Sequence, residues 1–152
     1  MAGTYNRKDH FYEKAKLEGY RSRAAYKLIE INKKFSLIKY GTKVLDLGCW
    51  PGGWLQVCRQ KVGPHGIAVG IDLVETEAVG GNVHIIHGDA REDDIIARAK
   101  SIANGLYDVV ISDMSPKITG IREVDQAASV GLAELALWFS EQMLVAGGSL
   151  ID

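Results

Sequence analysis

The chain has 152 residues, 47% hydrophobic and 24% charged, which suits one globular domain with a core large enough to fold without disulfide staples. Cys49 and Cys58 match neither a zinc nor a redox spacing, no run of about eighteen apolar residues occurs, and Arg7, Lys8 and Asp9 have no apolar stretch behind them; a membrane span and a secretory leader are disfavoured, and a cytoplasmic location is expected. The net charge of −1 conceals segregation: residues 1–43 carry eleven Lys or Arg against four Asp or Glu, the remainder seven against fifteen, so a basic segment suited to a polyanion precedes an acidic body.

In chain order, helical spacing covers residues 9–18 and 22–35, where Ala24, Ala25, Leu28, Ile29 and Ile31 form an apolar stripe among Arg21, Arg23, Lys27, Lys33 and Lys34. After Gly41 short apolar runs alternate with amphipathic ones. Lys43–Leu47, Ile67–Leu73, Val83–His87, Tyr107–Ser112 and Ser149–Ile151 are predicted strands, and Gly53–Val62, Arg91–Ala103 and about Glu123–Leu144 predicted helices. The connection between the second and third strands is too short for a helix, and Pro51, Pro64 and Pro116 fall in expected loops. The alternation predicts an α/β fold, a mostly parallel sheet with helices on both faces, with residues 1–40 a basic helical extension of the domain and 41–152 its core. Ligands of such sheets lie beyond the carboxyl ends of the strands, where strand order reverses.

The most informative stretch is Val44-Leu45-Asp46-Leu47-Gly48-Cys49-Trp50-Pro51-Gly52-Gly53-Trp54, an apolar strand entering a glycine-rich turn ahead of a helix. Bare backbone there lets main-chain N–H groups approach a ligand. The spacing Gly-x-x-x-Gly-Gly departs from the dinucleotide fingerprint Gly-x-Gly-x-x-Gly, which disfavours a nicotinamide-dependent oxidoreductase. A phosphate-free ligand such as S-adenosylmethionine needs carboxylates for its ribose and ammonium groups, and Asp72, Asp89 and Asp113 stand at successive strand ends. Asp72, about twenty residues past the turn, suits the ribose hydroxyls. Asp89 suits an adenine amino group, with Ala90 near the base. His10, His65, His84 and His87 form no metal-ligand constellation in the sequence, so no metal site is expected.

Taken together, Asp46-Leu47-Gly48, Pro51-Gly52-Gly53-Trp54, Ile71-Asp72-Leu73, Gly88-Asp89, Ser112-Asp113-Met114-Ser115-Pro116 and Arg21-Ser22-Arg23-Ala24-Ala25-Tyr26-Lys27-Leu28 resemble, in order, the FtsJ/RrmJ-type ribosomal RNA 2′-O-methyltransferases. The resemblance implies a class I, Rossmann-like methyltransferase fold and S-adenosylmethionine contacts at Gly48, Pro51, Gly52, Gly53, Trp54, Asp72, Leu73, Asp89, Ala90 and Asp113. It also implies a Lys-Asp-Lys-Glu tetrad around the reacting ribose, in which Lys27 matches the first lysine and Asp113 the aspartate. Cations near a ribose hydroxyl favour the developing alkoxide, and a carboxylate can orient them.

The expected activity is therefore methyl transfer to a ribose 2′-hydroxyl of RNA, with large-subunit ribosomal RNA first and transfer RNA as an alternative substrate. Arg21, Arg23, Lys27, Lys33 and Lys34 are the expected RNA contacts. Gly147-Gly148-Ser149-Leu150-Ile151-Asp152 matches the family's fifth strand; its second lysine, its glutamate and its last strands would follow Asp152. The expectation for the chain as given is thus cofactor binding with little turnover, the competing reading being a noncatalytic RNA-binding or assembly factor. Oligomeric state is left open.

Overall fold

The computed structural model describes residues 7–115 and 118–152, with side chains from residue 10 onward, so the loop expected at Pro116 lies outside the described residues. The elements run α1 (Arg7–Glu18), α2 (Ala24–Phe35), β1 (Lys43–Leu47), α3 (Gly53–Val62), β2 (Ile67–Asp72), β3 (Val83–His87), α4 (Asp93–Ala103), β4 (Tyr107–Ser112), α5 (Arg122–Met143) and β5 (Leu144–Ile151). The five strands are parallel, in the order β3-β2-β1-β4-β5. Successive strands add outward from β1 to β3 and the chain then returns to the other side of β1, so the switch point lies between β1 and β4.

The pleat divides each central strand between two cores. Leu45, Leu47, Val69, Ile71 and Val110 pack with Ile95, Ala99, Phe139 and Met143 of α4 and α5. Val44, Ala68, Val109 and Ile111 pack with Ala25, Leu28, Leu55 and Cys58 of α2 and α3. Both faces of β1, β2 and β4 are covered, which is why their sequences read as nearly unbroken apolar runs. The basic helix α2 thus shares the sheet's own core. Asn32, buried near its end, accepts the Ile38 N–H at 2.7 Å and donates to the Ile38 carbonyl at 3.1 Å, fixing the path into β1.

Most expected boundaries agree within two residues, and the 73–82 connection contains no helix. The largest departure is β5, which starts at Leu144, directly after α5, where only Ser149–Ile151 was expected. Leu144 pairs with Tyr107 and Ser149 with Val109, so the intervening residues bulge, with Gly147 at φ +80°. A bulge breaks the two-residue period that marks a strand.

The approach of α3 to β2 depends on Gly70. A Cβ there would lie 2.7 Å from Cys49 Sγ and 2.7 Å from Leu55 Cδ1, both in the packed interior. Gly70→Ala is expected to cost about 1–3 kcal/mol through overpacking. The urea midpoint should fall with an unchanged slope; an unchanged midpoint would show that α3 yields freely.

Candidate active site

The turn after β1 is fixed by the next strand. The N–H groups of Gly48 and Cys49 donate to the Ile71 carbonyl at 2.8 and 3.2 Å, and Asp72 Oδ2 accepts the Trp50 N–H at 2.8 Å. Asp72 Oδ1 accepts the Val74 N–H at 2.8 Å, so each carboxylate oxygen keeps a lone pair after joining the two loops. Gly48 and Gly52 hold φ of +78° and +116°, the left-handed region that only glycine enters cheaply.

The open sides of these glycines are filled by the chain itself. Met114 lies over Gly48, Arg21 over Gly52 and Ser22 over Gly53. Bareness in the turn therefore serves intramolecular packing as well as any ligand. Arg21, expected to meet phosphate, instead donates Nη1 to the carbonyls of Pro51 at 3.2 Å and Glu77 at 2.6 Å, and Nη2 to that of Ala78 at 2.6 Å. Its own N–H donates to Gln56 Oε1 at 2.8 Å. Arg21 is thus a clamp joining the α1–α2 turn, the glycine turn, α3 and the β2–β3 connection.

Beyond the strand ends lies a cleft of about 430 Å³ lined by Gly48, Trp50, Asp72, Leu73, Asp89 and Ala90, with Asp113, Met114 and the α5 residues Leu132 and Leu135 opposite. Arg91 grips Asp89 with Nη2 at 2.6 Å from Oδ2 and Nε at 3.0 Å from Oδ1; these hydrogen bonds pull the carboxyl down to about 2 and keep it an anion. Leu132 and Leu135 were not anticipated, because α5 follows the last recognisable motif and its apolar spacing resembles any core helix.

Pro51, Gly53 and Trp54 belong to an adjoining cavity of about 460 Å³ that also contains Arg23, Asp46 and Asp113, whereas Gly52 lines neither space. Trp54 is buried, its indole N–H donating to the Ala24 carbonyl at 2.7 Å. Asp46 is 2% exposed and its Oδ2 has no partner; Ser112 Oγ, also buried, has none either. Burial pushes the Asp46 carboxyl well up, and repulsion from Asp113 and Asp72 adds to the shift. Asp46 was read only as part of the motif, although an acid inside the apolar strand Val44-Leu45-Asp46-Leu47 was itself a signal.

Lys27 Nζ meets Asp113 Oδ1 at 3.3 Å, both side chains partly exposed, and lies 5.9 Å from the centroid of the Trp54 ring. Both residues border a third cavity, of about 560 Å³, between α1 and α2. Arg23 lines this space too; Lys33 and Lys34 sit exposed on the last turn of α2 and line none of these three cavities. Among the described residues no group of three His, Cys, Asp or Glu could hold a metal ion, and no helix is long and apolar enough to cross a membrane.

The sequence profile of the FtsJ-like methyltransferases matches residues 20–152. Ribosomal RNA large subunit methyltransferase E of Halobacterium salinarum is 46% identical over 151 residues, covering 96% of this chain and 57% of that protein. The protein of the same name from Nitrosospira multiformis is 49% identical over 144 residues, covering 94% and 69%. The chain thus spans little more than half the length of the archaeal relative. A crystal structure described as a ribosomal RNA methyltransferase from Plasmodium falciparum superposes with a TM-score of 0.74 at 31% identity, covering 83% of this chain and 73% of that one. The chain belongs to the FtsJ-like methyltransferase family, whose methyl donor is S-adenosylmethionine.

Proposed function

We propose that this chain carries the cofactor site and part of the catalytic site of an enzyme that methylates a ribose 2′-hydroxyl of RNA, with large-subunit ribosomal RNA as the substrate. One observation carries the reading: the Lys27–Asp113 pair stands where the acid-lined cleft meets the basic N-terminal helices. The names of the relatives support ribosomal RNA over transfer RNA.

The residues fit the cofactor. Asp46 Oδ2, buried and without a partner, is an acceptor awaiting a donor, and a methionine ammonium is a three-donor cation. The spare lone pairs of Asp72 suit two ribose hydroxyls, and Leu73, Ala90, Leu132 and Leu135 offer apolar surface for adenine near Asp89. When bound, S-adenosylmethionine supplies an electrophilic methyl on a cationic sulfur, which departs as a neutral thioether.

Lys27, held by Asp113, lends positive charge to a ribose oxygen as it forms its bond to carbon, while the hydroxyl proton passes to solvent. Asp113 also touches the cofactor cleft, so one carboxylate sets the lysine and the donor in a common frame. Such positioning is worth more than any single contact, because it removes the entropy of bringing two reactants together. Arg23, Lys27, Lys33 and Lys34 provide the cations for RNA phosphates.

Large-subunit ribosomal RNA lacking the modification, incubated with methyl-labelled S-adenosylmethionine and the chain joined to the segment that follows the fifth strand in its relatives, should acquire alkali-resistant label on ribose. Label on a base, or none, would overturn the reading. Lys27→Met should reduce the rate at least about a hundredfold. Calorimetry should show S-adenosylmethionine affinity little changed by that variant and lost in Asp72→Ala.

Asp46 provides a pH test. Its raised pKa means that the neutral acid is favoured in the free fold, and a bound ammonium favours the anion, so binding should release a proton and tighten as pH rises through the raised value. Relative to an unfolded carboxyl, ionisation inside the fold is unfavourable, so this group's contribution to stability is lost as pH rises through the folded pKa. Asp46→Asn should therefore unfold at higher urea than the parent above neutrality yet bind S-adenosylmethionine about tenfold or more weakly. Equal affinity in the two proteins would remove Asp46 from the ammonium site.

A further inference from the structure

The cavity between α1 and α2 has a composition that the cofactor does not require. Phe11, Ala24 and Tyr26 give it a half-buried apolar wall, while Arg23, Lys27, Glu30 and Asp113 bring charge to the same space. The Phe11 and Tyr26 rings lie with centroids 5.6 Å apart and planes tilted by 39°, and Tyr20 meets Tyr26 edge-on at 5.5 Å. The Tyr26 hydroxyl donates to Glu18 at 2.8 Å, and burial together with that bond raises it to about 12, so it stays neutral.

Asp113 borders this cavity, the cleft beside Asp72 and Asp89, and the space around Asp46. A group held between α1 and α2 therefore lies next to Lys27 and Asp113, in a space that Asp72 does not line. With two cations set against two carboxylates beside an apolar wall, the cavity has no net charge to select phosphate, whereas its aromatic faces attract a planar base and its carboxylates accept N–H groups. The cations on α1 and α2 hold the backbone of the same strand outside: Lys14 stands 4.8 Å from the Tyr26 centroid, and Arg23 and Lys27 are exposed. At about 560 Å³ the cavity falls in the usual range for small-molecule pockets.

We propose that this cavity is the acceptor-base pocket: one unpaired base of a single-stranded RNA segment stacks against Phe11 and Tyr26, setting its ribose beside Lys27 and Asp113. The inference rests on the proposed methyl transfer to RNA and adds to it where the base goes. It makes Phe11 and Tyr26 binding residues for unpaired RNA, with no requirement that the duplex be read.

The test uses fluorescence anisotropy with a short oligouridylate and its abasic counterpart, a ribose-phosphate strand of equal length and charge. The wild-type chain should bind the base-bearing strand about tenfold or more tightly, the scale of one stacked base. Phe11→Leu, which keeps apolar bulk without the ring, should abolish that preference, and Phe11→Tyr should restore it. S-adenosylmethionine affinity, measured by calorimetry on the same preparations, should be unchanged, which also reports that each variant is folded. A chain that binds the cofactor but holds both strands equally, or a Phe11→Leu variant that keeps the preference, overturns the pocket alone. A chain that prefers the base-bearing strand but binds no cofactor overturns the functional reading and leaves the pocket standing.

Discussion

The Arg21 guanidinium reaches the carbonyls of Pro51, Glu77 and Ala78, three points that no element of regular structure would otherwise bring together. Each carbonyl belongs to a loop at the carboxyl side of the sheet, where backbone acceptors lack strand partners and must find donors elsewhere. One rigid, permanently charged fork meets that demand, and Arg21 itself and the Ser22 after it cover the faces of Gly52 and Gly53. The basic helices are therefore tied to the cofactor cleft by the same contact that completes the loops. Lys27, in the first turn of α2, reaches Asp113 from the start point that this junction sets for the helix.

The cleft's electrostatics follow from its crowding with acids. Asp46, Asp72, Asp89 and Asp113 lie at the ends of β1 to β4, and each is managed differently: burial and repulsion favour a proton on Asp46, two main-chain N–H groups hold Asp72, Arg91 neutralises Asp89 and Lys27 faces Asp113. The charge asymmetry of the sequence thus has a local counterpart, with the positive surface of the helices beginning where the anionic cleft ends. The acid-lined cleft and the basic helices present opposite fields, and the Lys27–Asp113 pair stands between them.

The strand runs, their order and the acids at their ends were legible because each rests on local chemistry: apolar runs buried on both faces, a glycine turn, carboxylates where strands stop. What lay hidden depends on distant partners. No residue type distinguishes an arginine that binds phosphate from one that binds carbonyls, so the carbonyl acceptors of Arg21 were not legible in the sequence. Leu132 and Leu135 are ordinary helix leucines in sequence and become cleft wall only through the path of α5. The bulge in β5 hid most of that strand, since the four residues between Leu144 and Ser149 stand against the one between Tyr107 and Val109 and the alternation is lost.

Helix α5 is unevenly supported. Its buried residues, Ala136, Phe139, Ser140 and Met143, are confined to the C-terminal part, which continues without a loop into β5, while most of 122–131 faces solvent. The segment is a beam anchored at one end, and Leu132 and Leu135 lie near the point where its support ends. A helix half with little burial opens locally at low free energy. The α5 wall of the cleft is therefore weakly supported, and a molecule that packs on it supplies the burial the helix lacks. Occupancy of the cleft and the order of this half-helix are coupled, so the energy of filling the cleft is partly spent on finishing its construction.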